Sequence, residues 1–103
     1  MQTAIKEFHE KIKERYGQQL VKLILFGSWA RETATNESDI DLLVVLEGDI
    51  QPGREIDRMI DIITDIDLKY DTLLSVVPIA REEFEERNSP LLLNVRKEGI
   101  VIE

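Results

Sequence analysis

Two short apolar runs constrain this chain more than any other feature of it. Residues 20–26, LVKLILF, and residues 40–46, IDLLVVL, are rich in branched side chains and too short for helices of their own. Runs of this kind read as buried strands. The interval between them opens on Gly27-Ser28 and closes on Asp39-Ile40-Asp41, with ten residues separating Ser28 from Asp39. If the strands are antiparallel neighbours, both ends of that interval meet at one end of the sheet. Ten residues are enough for a short helical turn across it. Side chains alternate along a strand, so Asp39 and Asp41 share one face while Ile40 and Leu42 share the other. Two carboxylates about 7 Å apart on one face repel each other unless something positive lies between them.

The rest of the chain supplies the layers around these strands. Residues 3–16 place Ile5, Phe8, Ile12 and Tyr16 on one helical face, with Thr3 as N-cap and Gly17 as C-cap. Residues 47–53, with Gly48, Asp49, Pro52 and Gly53, read as a loop. Residues 54–66 form an amphipathic helix with Ile56, Met59, Ile60, Ile63 and Ile66 inward. Residues 72–79 read as a third strand, and Pro78 marks its end or an edge position. Residues 81–87 and 90–97 are helical, the second with Pro90 in its first turn. Gly99 stops that helix, and residues 100–102 add a short last strand. The order predicts an α/β (α+β) two-layer fold over residues 1–103, a single domain whose small mixed β-sheet is flanked by helices on one or both faces.

Composition removes several classes of function. Apolar residues at 43% and charged residues at 33% describe a globular chain, and no apolar stretch reaches the length of a membrane span. The N-terminal residues carry no signal-peptide pattern, so the expected location is cytoplasmic. There is no cysteine, hence no disulfide framework and no thiolate metal site. A net charge of −8 argues against non-specific nucleic-acid binding, which depends on Lys and Arg contacts to phosphates. His9 reads as a surface or boundary residue. The acidic run Glu82, Glu83, Glu85, Glu86 and the series Asp57, Asp61, Asp65 read as solvated helix faces.

A divalent cation answers the repulsion between Asp39 and Asp41, since magnesium is commonly held by one or two carboxylates together with substrate phosphates. Gly27 lets the backbone approach a phosphate, and Ser28 adds a hydroxyl and an N–H. The arrangement reads as a site for a metal-bound polyphosphate. With these residues in place, GSWARETATNESDIDLLVV resembles the signature of DNA polymerase beta-type nucleotidyltransferases, and the short chain resembles their minimal group (MNT).

The resemblance implies two-metal nucleotidyl transfer. Asp39 and Asp41 would ligate two Mg²⁺ ions that bridge the phosphates of ATP, while Gly27 and Ser28 hold the β- and γ-phosphates. Arg31 would reach the same phosphates or pair with Glu32, which replaces the family's usual glycine. The third carboxylate of active members falls on Ser75 when SVVPIAREEF is set beside the family pattern. Asp71, four residues earlier with the same strand parity, is the candidate substitute as catalytic residue and metal ligand. Trp29 either packs over the turn or stacks on a base, with packing favoured. In the family, such minimal proteins act as antitoxins that transfer AMP to a tyrosine of a small helical HEPN partner. Two other classes remain open: a catalytically weak or inactive module that neutralises a partner by contact, and a nucleotide-binding subunit of a larger transferase. The C-terminal residues Leu91, Leu92, Leu93, Val95, Ile100 and Ile102 exceed what one helix face can bury. They point to a partner surface or to cover for a sheet edge.

Overall fold

Both apolar runs become neighbouring strands, and the remaining elements assemble on either side of them. A computed structural model describes residues 2–35 and 38–103. Its elements are α1 (Gln2–Tyr16), a 3₁₀ turn (Gly17–Gln19), β1 (Leu20–Phe26), α2 (Gly27–Ala30), β2 (Ile40–Leu46), α3 (Pro52–Tyr70), β3 (Leu74–Ala80), α4 (Arg81–Glu86), α5 (Pro90–Glu98) and β4 (Ile100–Ile102). The strand order is β3-β2-β1-β4. β1 is antiparallel to β2 and β4, whereas β2 and β3 run parallel, so the sheet is mixed as expected.

Strand alternation divides the core in two. Leu23, Leu25, Ile40, Leu42, Val44 and Leu46 pack under Phe8 and Ile12 of α1 and Met59, Ile62 and Ile66 of α3. On the opposite face Ile24, Leu43, Val45 and Ile79 meet Phe84 of α4 and Leu92 and Val95 of α5. Helices therefore cover both faces, the long pair on one and the short pair on the other. β2 is the central element, and its residues from Leu42 to Leu46 are buried throughout.

Several boundaries move for identifiable reasons. The first helix already includes Gln2, so Thr3 lies in its first turn and is not the cap. Gly17, with φ of +56°, does end it, as a left-handed residue after the last turn. The loop after β2 is shorter than the sequence suggests, because Pro52 occupies the first turn of α3, where its missing N–H costs nothing. The buried stripe of α3 is Glu55, Met59, Ile62, Ile63 and Ile66. Ile60, read as inward, is 50% exposed, because one step past Met59 turns the side chain by about 100° away from the core. Pro78 lies on β3, an edge strand, where a missing donor does not break the sheet. Of the C-terminal apolar residues, Leu92 and Val95 are buried, while Leu91, Leu93 and Ile100 remain exposed.

Candidate active site

Gly27 ends β1 and fixes the position of the acid pair. Its φ is +73°, a left-handed conformation that turns the chain out of β1 into α2. A Cβ at this position would also overlap the carboxylate of Asp41. Glycine is thus required twice, by the backbone angle and by the acid lying against it. Asp41 is paired in register with Phe26 of β1 on one side and Ser75 of β3 on the other. The Ser75 side chain lies beside the Asp41 carboxylate and favours its charged form. Asp39, one turn of the pleat earlier, is exposed at the mouth of β2. The strand start is pinned by the Ile40 N–H, which donates to the Leu73 carbonyl at 2.9 Å.

The electrostatics of the pair match its geometry. Burial pushes the Asp41 carboxyl above the usual aspartate range, and the charge of Asp39 pushes it further. Arg31 and Ser75 oppose this without cancelling it. Arg31 pairs neither with Glu32 nor with a group on its own element: its Nη1 lies 3.4 Å from Glu98 Oε2. Glu98 arrives from the end of α5, and no local sequence signal announces it. Glu32 is exposed and takes φ of +62°. The left-handed angle gives a physical reason for glycine at this place in the family pattern.

The turn itself is tied down by backbone and indole. The Ser28 carbonyl accepts from the Thr33 N–H at 2.9 Å. Trp29 packs against the α1-side core, as favoured over base stacking, and its Nε1–H donates to the Ser38 carbonyl at 3.3 Å.

Asp71 requires a correction. It is not on the third strand, which begins at Leu74, so the parity argument that aligned it with Ser75 does not apply. It is the left-handed C-cap of α3, with φ of +52° and an exposed side chain. Asp67 organises this corner, since its carboxylate accepts from the Leu74 N–H at 2.9 Å and the Thr72 hydroxyl at 3.1 Å. Among the described residues no three acidic, histidine or cysteine side chains gather to hold a cation, so Asp71 does not complete a trio with Asp39 and Asp41. Two carboxylates and a hydroxyl, with no sulfur or imidazole, nonetheless form a donor set suited to a hard cation.

Comparison with known proteins agrees with this geometry. The nucleotidyltransferase domain family model matches residues 5–102. A relative from Methanocaldococcus jannaschii, described as a candidate protein adenylyltransferase, is 39% identical over 98% of this chain and 96% of its own. The fold resembles that of a toxin–antitoxin crystallised with AMP-PNP, with a TM-score of 0.64 and 18% identity over 91% of this chain and 68% of that one. It also resembles a mutant of the MntA–HpeT toxin–antitoxin, with a TM-score of 0.64 and 16% identity over 95% of this chain and 70% of that one. The chain belongs to the nucleotidyltransferase domain family. It is a nucleotidyltransferase, and its fold has structural neighbours among toxin–antitoxin proteins.

Proposed function

We propose that the protein transfers AMP from ATP to a hydroxyl group, in a reaction that depends on Mg²⁺, and that the acceptor is a tyrosine of a HEPN-type toxin partner. The observation that carries this reading is the like-charged pair Asp39 and Asp41, with the Asp41 carboxylate lying against the Gly27 backbone. Asp39 and Asp41 would hold the magnesium, two ions if the family pattern applies. When bound, the metal supplies charge neutralisation on the phosphates and lowers the pKa of the attacking hydroxyl. Gly27 and Ser28 would bring backbone and hydroxyl up to the phosphates, and Arg31, whose charge is already felt at Asp41, would add a positive charge near them. In the transfer, the acceptor oxygen bonds to the α-phosphorus, the α–β bridging bond breaks, pyrophosphate leaves and the hydroxyl proton passes to solvent. The relative described as a protein adenylyltransferase and the toxin–antitoxin neighbours support the class of acceptor.

A second reading, a module that neutralises its partner by contact, is favoured by one observation: the register partner of Asp41 is Ser75, a neutral residue where the family resemblance implies a third carboxylate. One experiment separates the two. Labelled ATP, Mg²⁺ and the product of an adjacent gene for a short helical protein are incubated with the wild type and with the Asp39→Asn/Asp41→Asn double variant. Transfer by the wild type alone establishes the first reading. Metal-dependent ATP binding that survives in the double variant sinks the site. Tight partner binding without transfer by either protein establishes the second.

A further inference from the structure

We propose that Trp29 is a positioning residue for Asp39, acting through the carbonyl of Ser38. The inference rests on the assignment of Asp39 to the metal site. Trp29 lies on α2, directly after Ser28, and its ring packs against the core formed by α1 and β1. Its Nε1–H donates to the Ser38 carbonyl at 3.3 Å, across nine residues of sequence. That carbonyl belongs to the peptide unit joining Ser38 to Asp39, so the bond fixes the plane from which the Asp39 side chain departs. The backbone N–H groups on either side are held separately, Ser38 by the Thr35 carbonyl at 3.0 Å and Ile40 by the Leu73 carbonyl at 2.9 Å.

The indole thus links the two ends of the interval. The turn proposed to face phosphate and the acid proposed to face metal are joined through one rigid side chain. The link matters because of the charge on Asp41. Asp39 is exposed, and repulsion favours its displacement toward water, away from Asp41. An anchor on its peptide opposes that displacement before any cation is present. Such an arrangement pre-organises the pair, and loosening it weakens cation binding more than it weakens the fold.

The test is a change at the indole nitrogen. Trp29→Phe keeps an aromatic ring on the core and removes the N–H. The outer edge of Trp29 lines an open groove of about 650 Å³, so the smaller ring leaves no sealed void. Replacement of Trp29 by β-(3-benzothienyl)alanine exchanges the N–H for sulfur with the ring shape preserved. Hydrogen exchange is measured on the metal-free proteins, and the Mg²⁺ requirement for ATP binding is measured by titration. Loss of one neutral hydrogen bond predicts exchange at the Ser38 and Ile40 amides about three- to tenfold faster, with a similar rise in the Mg²⁺ needed for half-maximal ATP binding. The melting temperature of the sulfur variant stays near that of the wild type. Wild-type exchange and wild-type Mg²⁺ requirement in both variants would overturn the role of Trp29 alone. A wild type without Mg²⁺-dependent ATP binding would overturn the site assignment and this inference with it.

Discussion

The two ends of the sheet treat charge in opposite ways. At the end where β1 begins, Glu55 is only 4% exposed, yet its carboxylate accepts from the Tyr16 hydroxyl at 2.9 Å and from Arg58 at 3.2 Å. The Arg58 guanidinium also lies over the Tyr16 ring, 4.5 Å from its centre. At the end where β1 finishes, Asp41 is pressed between burial and the charge of Asp39. The first arrangement secures α1 to α3, since a buried carboxylate is tolerated only with its partners present. The second opposes the fold and suits a ligand. One end of the molecule is resolved by its own residues, and the other is left for something outside them to resolve.

The largest effect should come from Gly27→Ala. The left-handed angle costs about 1–2 kcal/mol for a residue with a Cβ, and the new methyl group displaces the Asp41 carboxylate. A carboxylate is the mobile end of its side chain, so the fold survives by moving the acid out of place. Metal-dependent ATP affinity should therefore fall by about 10- to 100-fold, while thermal unfolding stays cooperative. Calorimetric titration and a melting curve on the same sample check both. Unchanged affinity would mean that the contact between Gly27 and Asp41 does not define the site.

The opposite end is probed by Tyr16→Phe. Removing the hydroxyl takes one partner from a buried carboxylate, at a cost of about 1–3 kcal/mol. ATP binding should not change, because the site lies at the far end of β1. The pH dependence gives a second check. Burial and the charge of Glu55 push the Tyr16 hydroxyl up to about 12, against 10.0 ordinarily. The unfolded chain loses this proton first. Stability from Tyr16 is therefore complete below pH 10 and is lost as pH rises toward 12. The wild type should show this alkaline loss, and Tyr16→Phe should lack that part of it. At the acid end the sign is the same and only the pH range differs. Asp41, raised above its ordinary value, favours the fold when protonated, so its contribution weakens as pH rises above the ordinary aspartate range.

The same contrast decides what was legible in the sequence. β1 and β2 match residues 20–26 and 40–46, because a branched apolar run bounded by glycine or aspartate has few other solutions. The family resemblance placed Ser75 at the third-carboxylate position, and the register sets it beside Asp41. Glu55 was not. Its partner Tyr16 is 39 residues away, and nothing local distinguishes a buried glutamate from a solvated one. Arg31 was placed near the site, but its partner Glu98 comes from an element 67 residues later. Asp71 was misplaced because the polar end of α3 extends to Tyr70, which moves the corner and delays the strand. Local pattern reveals elements and short-range turns, whereas pairings between distant elements depend on packing that the pattern does not encode.

The smallest expected effect sharpens the comparison most directly, because it separates backbone strain from charge at one residue. Glu32 holds φ of +62° and is exposed, so its side chain contributes little packing to offset the angle. Glu32→Gly relieves a left-handed conformation but increases the entropy of the unfolded chain, for a net gain of about 0.5–1 kcal/mol. In a domain of this size that is a rise of about 2–8 °C in melting temperature. Glu32→Asn removes the same negative charge while keeping a side chain that tolerates the left-handed region better than glutamate does. If the strain is in the backbone, stability should rise from Glu to Asn to Gly. If repulsion by Glu32 opposes the nucleotide, both variants should bind Mg²⁺-ATP more tightly by the same factor, about two- to threefold at low salt and less as salt is added. Equal stability in all three proteins would show that the turn after Arg31 carries no strain, and the contrast between the two ends would then rest on the acid pair alone.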